Sequence, residues 1–229
     1  MLTESSSGSS DIPSSTLDQT LFERLNLILT RSSELGFLGG MPVAEQIDHA
    51  LGFVSVGGDA LGPSLGAILD LGSGGGIPGL VLAAAWPHVP TVLLDANKRR
   101  TDFLVSAVEE FAEFAKVEIV RGRAEELGRS SDLRQQFDLV SSRSFGPSGV
   151  TAECGAPFTR VGGVLVVSEP PEDPSVRRWS KDGLLQLGLE DRGAFRVAKR
   201  FRFRVLKKVS ATPDRYPRRV GIPGKRPLF

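Results

Sequence analysis

Residues 68–79 read Ile68-Leu69-Asp70-Leu71-Gly72-Ser73-Gly74-Gly75-Gly76-Ile77-Pro78-Gly79. A short apolar run ends beside a carboxylate, turns through four glycines in five positions, and enters a second apolar run that carries Pro78. Proline, with φ already near the helical value, is favoured in the first turn of a helix. The stretch therefore predicts a strand, a tight glycine turn and a helix N-terminus. Backbone N–H groups meet nucleotide-like ligands at such a junction.

Two registers fit the glycines. Gly72-x-Gly74-x-Gly76 behind Asp70 is the S-adenosylmethionine pattern of class I methyltransferases. Gly74-x-Gly76-x-x-Gly79 is the dinucleotide fingerprint. Both leave Asp95 at the end of the next apolar run, placed for ribose hydroxyls. The glycines alone do not separate the two.

Outward from this stretch, apolar runs alternate with helical patterns, which argues for a parallel sheet covered on both faces. Strands are expected at 67–71, 91–94, 117–120, 137–141 and 163–167. Helices are expected at 78–85, 98–114 and 149–158, with a single turn at 124–127. A loop over 169–174 leads to a helix near 176–187, and residues 195–209 read as two antiparallel strands. Upstream, Leu17, Leu21, Leu25, Ile28 and Leu29 keep helical spacing, with Thr16 and Gln19 as a capping box. A second helix is expected over 43–54, and Gly57-Gly58 with Gly62-Pro63 end the N-terminal cap. The expected fold class is α/β, with the layout of a Rossmann-like class I S-adenosylmethionine-dependent methyltransferase. It has a mostly parallel seven-stranded sheet with a final antiparallel strand and an N-terminal helical cap. The expected organisation is a disordered Ser-rich tail at 1–13, the cap at 14–63, a methyltransferase domain at 64–209 and a basic Pro/Gly-rich tail at 210–229.

The 229 residues, 40% of them hydrophobic, suffice for one sizeable core. No apolar run reaches the length of a membrane span, and the first residues lack a secretory pattern. One cysteine, Cys154, allows no internal disulfide, and with only His49 and His88 beside it no zinc site is expected. A cytoplasmic monomer without a metal is the expectation. The net charge of +1 hides an asymmetry: residues 196–229 hold 12 cations against one anion, Asp214, leaving −10 on the rest. Such a concentrated basic end points to a polyanion, and nucleic acid is the partner this favours.

Successive strand ends decide between the cofactors. Asp70 is placed for the ammonium of S-adenosylmethionine, Asp95 for its ribose, and the Ala124 amide and Glu125 carboxylate for its adenine. Each has a plainer reading, Asp70 as a cap of its own turn and Glu125 as an anion at a helix start. Their joint placement where α/β ligands bind favours the cofactor. Hydride transfer would instead need a general acid or base such as His or a Tyr/Lys pair, and the only tyrosine is Tyr216, in the basic tail. For the acceptor, the run Asp138-Leu139-Val140-Ser141-Ser142-Arg143-Ser144-Phe145 lacks the Asn/Asp-Pro-Pro-aromatic motif of exocyclic amino methylation. Cys154 reads as a small buried residue rather than a nucleophile. Guanine N7 already has an in-plane lone pair and needs no base, only alignment. An unpaired guanine stacked on Phe145, with Arg143 near O6 or a phosphate, fits; a salt bridge from Arg143 to Asp70 or Asp95 is the plainer alternative.

Three blocks resemble the RsmG (GidB) family of small-subunit ribosomal RNA guanine-N7 methyltransferases. They are Asp70 to Gly79, Arg121-Gly122-Arg123-Ala124-Glu125-Glu126, and Ser142-Arg143-Ser144-Phe145. The ending Tyr216-Pro217-Arg218-Arg219-Val220-Gly221-Ile222-Pro223-Gly224-Lys225-Arg226-Pro227-Leu228 is similar to that of many members. The resemblance implies methylation of guanine N7 in 16S rRNA, free or within the small ribosomal subunit. It also implies that Gly72, Ile77, Ala124, Glu125 and Arg143 contact the cofactor, beside Asp70, Gly74, Gly76 and Asp95, with Arg143 the catalytic candidate. Arg202, Arg204, Lys207, Lys208, Arg218, Arg219, Lys225 and Arg226 are the candidate RNA contacts. Members usually carry Ala where Ser144 stands and Lys-Gly where this chain has Ser168-Glu169, a carboxylate expected to repel a phosphate backbone. The alternatives are a same-fold enzyme for another RNA or a small molecule, or a non-catalytic RNA- or ribosome-binding relative.

Overall fold

Alternate residues of the central runs face opposite sides of one sheet, and each side gathers its own core. The computed structural model describes residues 9–10, 17–170 and 178–229. Strands β1 (Ser9–Ser10), β2 (Ile68–Leu71), β3 (Thr91–Asp95), β4 (Val117–Arg121), β5 (Phe137–Ser142), β6 (Thr159–Glu169), β7 (Leu189–Val197) and β8 (Phe201–Lys208) form a single sheet. Its order is β1-β7-β8-β6-β5-β2-β3-β4. Only β8 runs antiparallel to its neighbours, β6 and β7. The seven long strands are thus the mostly parallel sheet that the sequence predicts. Apart from Ser9 and Ser10, which pair with Arg196 and Val197, the expected tail at 1–13 lies outside the described residues.

Helices α1 (Gln19–Glu34), α2 (Val43–Leu61), α3 (Gly79–Ala85) and α4 (Lys98–Glu109) cover one face. There Ile28, Phe53, Leu80 and Leu104 pack on Ile68, Leu93, Leu139 and Val166. The opposite face carries α5 (Ala124–Leu127), α6 (Ser148–Gly155), α7 (Lys181–Gln186) and α8 (Ile222–Lys225). Its core holds Leu69, Leu94, Val140 and Leu165 together with Ala152, Leu184 and Tyr216. Among the described residues no helix is long and apolar enough to cross a membrane.

Several boundaries differ from expectation. The cap of α1 is Asp18, whose side chain accepts from Leu21 N; Thr16 lies outside the described residues. Helix α2 runs through Gly57-Gly58 to Leu61 instead of ending before them. The cause is close packing: a Cβ at Gly57 would lie 3.0 Å from Leu139, and one at Gly52 would strike the Phe203 ring. The glycines bring the helix down onto the sheet. Pro78 precedes α3 as its N-cap, behind a cis peptide bond, and α4 stops at Glu109 before a separate 3-10 turn over Ala112–Phe114.

The segment 210–229 is no loose tail. Tyr216 is 5% exposed, and Arg134 donates to the carbonyls of Thr212 (2.7 Å) and Tyr216 (3.0 Å). Arg129 donates to that of Pro217 (2.6 Å), and Phe229 packs where a Cβ on Gly183 would otherwise sit. It straps the second face of the sheet.

Candidate functional site

The glycine turn stands at the C-terminal end of β2, where strand order reverses on either side. Gly72, Gly74 and Gly76 take φ of +74°, +55° and +103°. A Cβ at Gly72 would lie 2.6 Å from the Phe145 ring and one at Gly76 2.6 Å from Leu80. At Gly74 the nearest atom is 3.8 Å away. Gly74 therefore offers bare backbone to open space, while Gly76 turns the chain toward the core. The loop is fastened from three sides. Gly74 N donates to Asp95 Oδ2 (2.8 Å), Ser32 Oγ of α1 donates to the Gly75 carbonyl (2.9 Å), and Gly79 N donates to Asp70 Oδ2 (3.0 Å).

Asp70 is fully buried and also accepts from Ser141 Oγ at 2.7 Å. Burial pushes its carboxyl up to about 6, against the hydrogen bonds from Ser141, Ser73 and Gly79. This carboxylate fastens the turn from behind, a role that stands beside the expected contact with a ligand ammonium, directly or through water. Asp95 keeps its place at the cavity edge. It accepts from Gly74 N and Asn97 N, each at 2.8 Å, and lies 3.8 Å from Arg100, with lone pairs to spare for hydroxyls.

Three cavities share Ser144. One of about 260 Å³ follows the glycine loop beneath Phe37 and Leu38 and includes Ile77. A second, about 210 Å³, lies between Asp95, Arg100, Ala124 and Glu125. The third, about 320 Å³, opens between Met41, His49, Ser168, Glu169 and Arg178. Arg143 lines both the first and the third. Burial lowers its guanidinium from the ordinary value, and the Asp70 charge opposes that. Ser144 holds φ at +54°, a backbone conformation that side chains other than glycine rarely take, at the point where the cavities join.

Glu125 reaches this cleft with a partner that the sequence did not suggest. Its Oε1 accepts from Gly221 N of the strap at 3.0 Å. Glu169 also differs from expectation. Its side chain is 3% exposed, accepts from Trp179 Nε1 (2.6 Å), and stands 3.4 Å from Arg204, 3.6 Å from Arg178 and 3.9 Å from Arg202. Three guanidinium groups neutralise it, so it presents no net repulsion to a phosphate. Cys154 is 1% exposed and burial pushes its thiol up, which leaves it inert.

The candidate RNA cations divide sharply. Lys208 is 1% exposed and donates to the Ala156 carbonyl and Thr212 Oγ1; burial lowers its ammonium to about 7. Arg218 grips the fully buried Glu153 with Nε (2.9 Å) and Nη2 (2.6 Å). Arg202 and Arg204 attend Glu169, Arg204 also binds Asp191 at 3.0 Å, and Lys207 donates to the Gly162 carbonyl. All five thus have partners within the protein, which the count of charges in the sequence does not show. Arg219, Lys225 and Arg226 remain exposed. Because Gly221 touches Glu125, Arg219 on the strap and Arg123 at the start of α5 flank one junction. Sequence reading passed over Phe37, Arg100, Arg123 and His49 as site residues. They come from separate elements, and no local spacing joins them.

Comparison with known proteins places these features in context. A family model described as rRNA small subunit methyltransferase G (GidB) matches residues 55–169. A protein named ribosomal RNA small subunit methyltransferase G from Thermotoga sp. strain RQ2 is 34% identical over 168 residues, 72% of each chain. Its namesake from Carboxydothermus hydrogenoformans is 37% identical over 165 residues, 70% of each chain. Among solved structures, an O-methyltransferase from Bacillus cereus in complex with SAH superposes with a TM-score of 0.55. It is 16% identical, over 80% of this chain and 90% of that one, a likeness of fold.

Proposed function

Since the chain belongs to the rRNA small subunit methyltransferase G family, we propose that its cleft binds S-adenosylmethionine and directs methylation of guanine N7 in 16S rRNA. The open backbone face at Gly74 supports the cofactor, because it is the one glycine of the turn where a ligand rather than a protein atom would occupy the space of a side chain. In this reading Gly72, Gly74 and Ile77 line the amino-acid end, Asp95 takes the ribose hydroxyls, and Ala124 with Glu125 takes the adenine. When bound, S-adenosylmethionine supplies a methyl carbon activated by its sulfonium. The protein's work is then alignment.

Arg143 carries the functional reading, because it alone among the cations lines both the glycine-loop cavity and the cavity on the far side of Ser144. A guanine seated in the far cavity presents N7 toward the first without losing a proton, since its lone pair is free. Arg143, a donor at every nitrogen, holds the O6 edge and so orients the base. The rim formed by Arg123, Arg219, Lys225 and Arg226 supports docking of the RNA backbone. A monomer in the cytoplasm is part of the same proposal.

The test is methyl transfer to small ribosomal subunits from a strain lacking this gene, followed by mass mapping of the rRNA. One N7-methylguanosine in 16S rRNA is the expected product. Transfer only to small molecules, or to another base position, would overturn the proposal.

A further inference from the structure

His49 is 8% exposed, stands on α2, and lines the same 320 Å³ cavity as Arg143 and Phe145. Aromatic rings enclose it, with centroids of Phe53, Phe201 and Phe203 at 5.7, 5.0 and 5.1 Å. Its Nδ1 is buried without a hydrogen-bond partner. A buried polar nitrogen left unpaired carries a desolvation penalty, so a ring at a cavity wall that can turn this nitrogen toward the opening gains from a partner there. The charged groups that face the ring are Arg143 and Arg200, and burial together with these cations holds the imidazole down to about 4. At neutral pH the ring is uncharged and carries one donor and one acceptor.

We propose that His49 is a base-recognition residue of the acceptor cavity, hydrogen-bonding through its imidazole to the edge of the guanine that Arg143 orients. The inference rests on the assignment of that cavity to the acceptor. Arg143 offers only donors, which suit O6 but cannot answer the N1–H and N2–H₂ donors of guanine. Glu169, also on the wall, already serves Trp179 and three arginines, and the hydroxyls of Ser148 and Thr151 donate to the carbonyls of Arg178 and Gly146. A neutral imidazole adds a nitrogen acceptor to a wall whose other polar side chains are hydroxyls, guanidinium groups and an engaged carboxylate. The enclosing phenylalanines fix the plane of the ring, so the acceptor has one direction rather than many.

The experiment compares H49F and H49N with wild type, using small ribosomal subunits that lack the modification and measuring cofactor affinity by calorimetry. H49F keeps an aromatic ring among Phe53, Phe201 and Phe203. It is expected to lower kcat/KM for the subunit about tenfold, the loss of one hydrogen bond, with cofactor affinity unchanged. H49N, which again offers a donor and an acceptor, should recover part of that loss. Should H49F fail to fold, H49M carries the same expectation for a purely apolar side chain. Wild-type kcat/KM in the folded apolar variant, or an equal loss in H49N and H49F, would overturn the role of His49. Failure of the wild-type protein to methylate the subunit would instead overturn the acceptor assignment, which separates the two.

Discussion

At Gly74, in the proposed reading of the cleft, side-chain addition and ligand binding compete for one volume. Its φ of +55° opposes any L side chain, at a cost of about 1–2 kcal/mol, yet a Cβ there would meet no protein atom within 3.8 Å. Gly74→Val should therefore leave a folded protein of modestly lower stability that no longer binds S-adenosylmethionine in a calorimeter. Unchanged affinity would remove the cofactor from this loop. Gly76→Val is a useful contrast, since its side chain would strike Leu80 and Leu104 and the loss should appear first in the melting curve. The glycine pattern was legible because each glycine answers a local backbone demand. Which glycine faces ligand and which faces core was not, since Leu80 and Phe145 reach the loop from elsewhere in the fold.

At the scale of elements, the strap over 210–229 shows what charge counting misses. Read as composition, the twelve cations of residues 196–229, five of them in the strap, suggest a solvated docking arm. Folded, Arg218 compensates the only charge of the fully buried Glu153, and Arg129 and Arg134 of the neighbouring loop satisfy the strap's carbonyls. The pairing partners lie 65 to 88 residues away, beyond any window of sequence periodicity. Arg218→Ala leaves a carboxylate buried and uncompensated, and should destabilise the protein by about 3–5 kcal/mol in denaturant melts. A variant as stable as wild type would return Arg218 to the RNA surface. Helix α2 teaches the same lesson. Gly57-Gly58 reads as a helix end until Leu139 is seen beneath it, and that contact depends on the assembled sheet. By contrast α5 and the central strands followed expectation closely, because their apolar spacing is itself the signal.

For the molecule as a whole, two buried groups pull stability in opposite directions with pH. The Asp70 carboxyl, raised from 3.8 to about 6, makes the folded state the better proton binder in that window. Its contribution is present below the unfolded value and is lost as pH rises through about 6. His49, lowered from 6.5 to about 4, does the reverse: its contribution is present above the unfolded value and is lost as pH falls through about 4. Each is on the order of 3 kcal/mol, so between pH 4 and 6 they largely cancel. D70N should unmask the histidine, with denaturant midpoints falling as pH drops; H49F should unmask the aspartate, with midpoints rising. Parallel profiles in both variants would show that these groups do not govern the window. The outer surface is tested separately. Replacing Arg219, Lys225 and Arg226 together with alanine should flatten the log–log salt dependence of RNA binding by about 2, with cofactor affinity unchanged. An unaltered slope would place docking elsewhere. The hydrogen bond from Gly221 to Glu125 spans 96 residues and has a further consequence in time. Domains form as the chain emerges N-terminal end first. The loop proposed to take the adenine is thus made early and fastened late. A nascent chain exposed only as far as the sheet has the glycine turn but not the clasp on Glu125, which closes only once the ribosome has delivered Gly221.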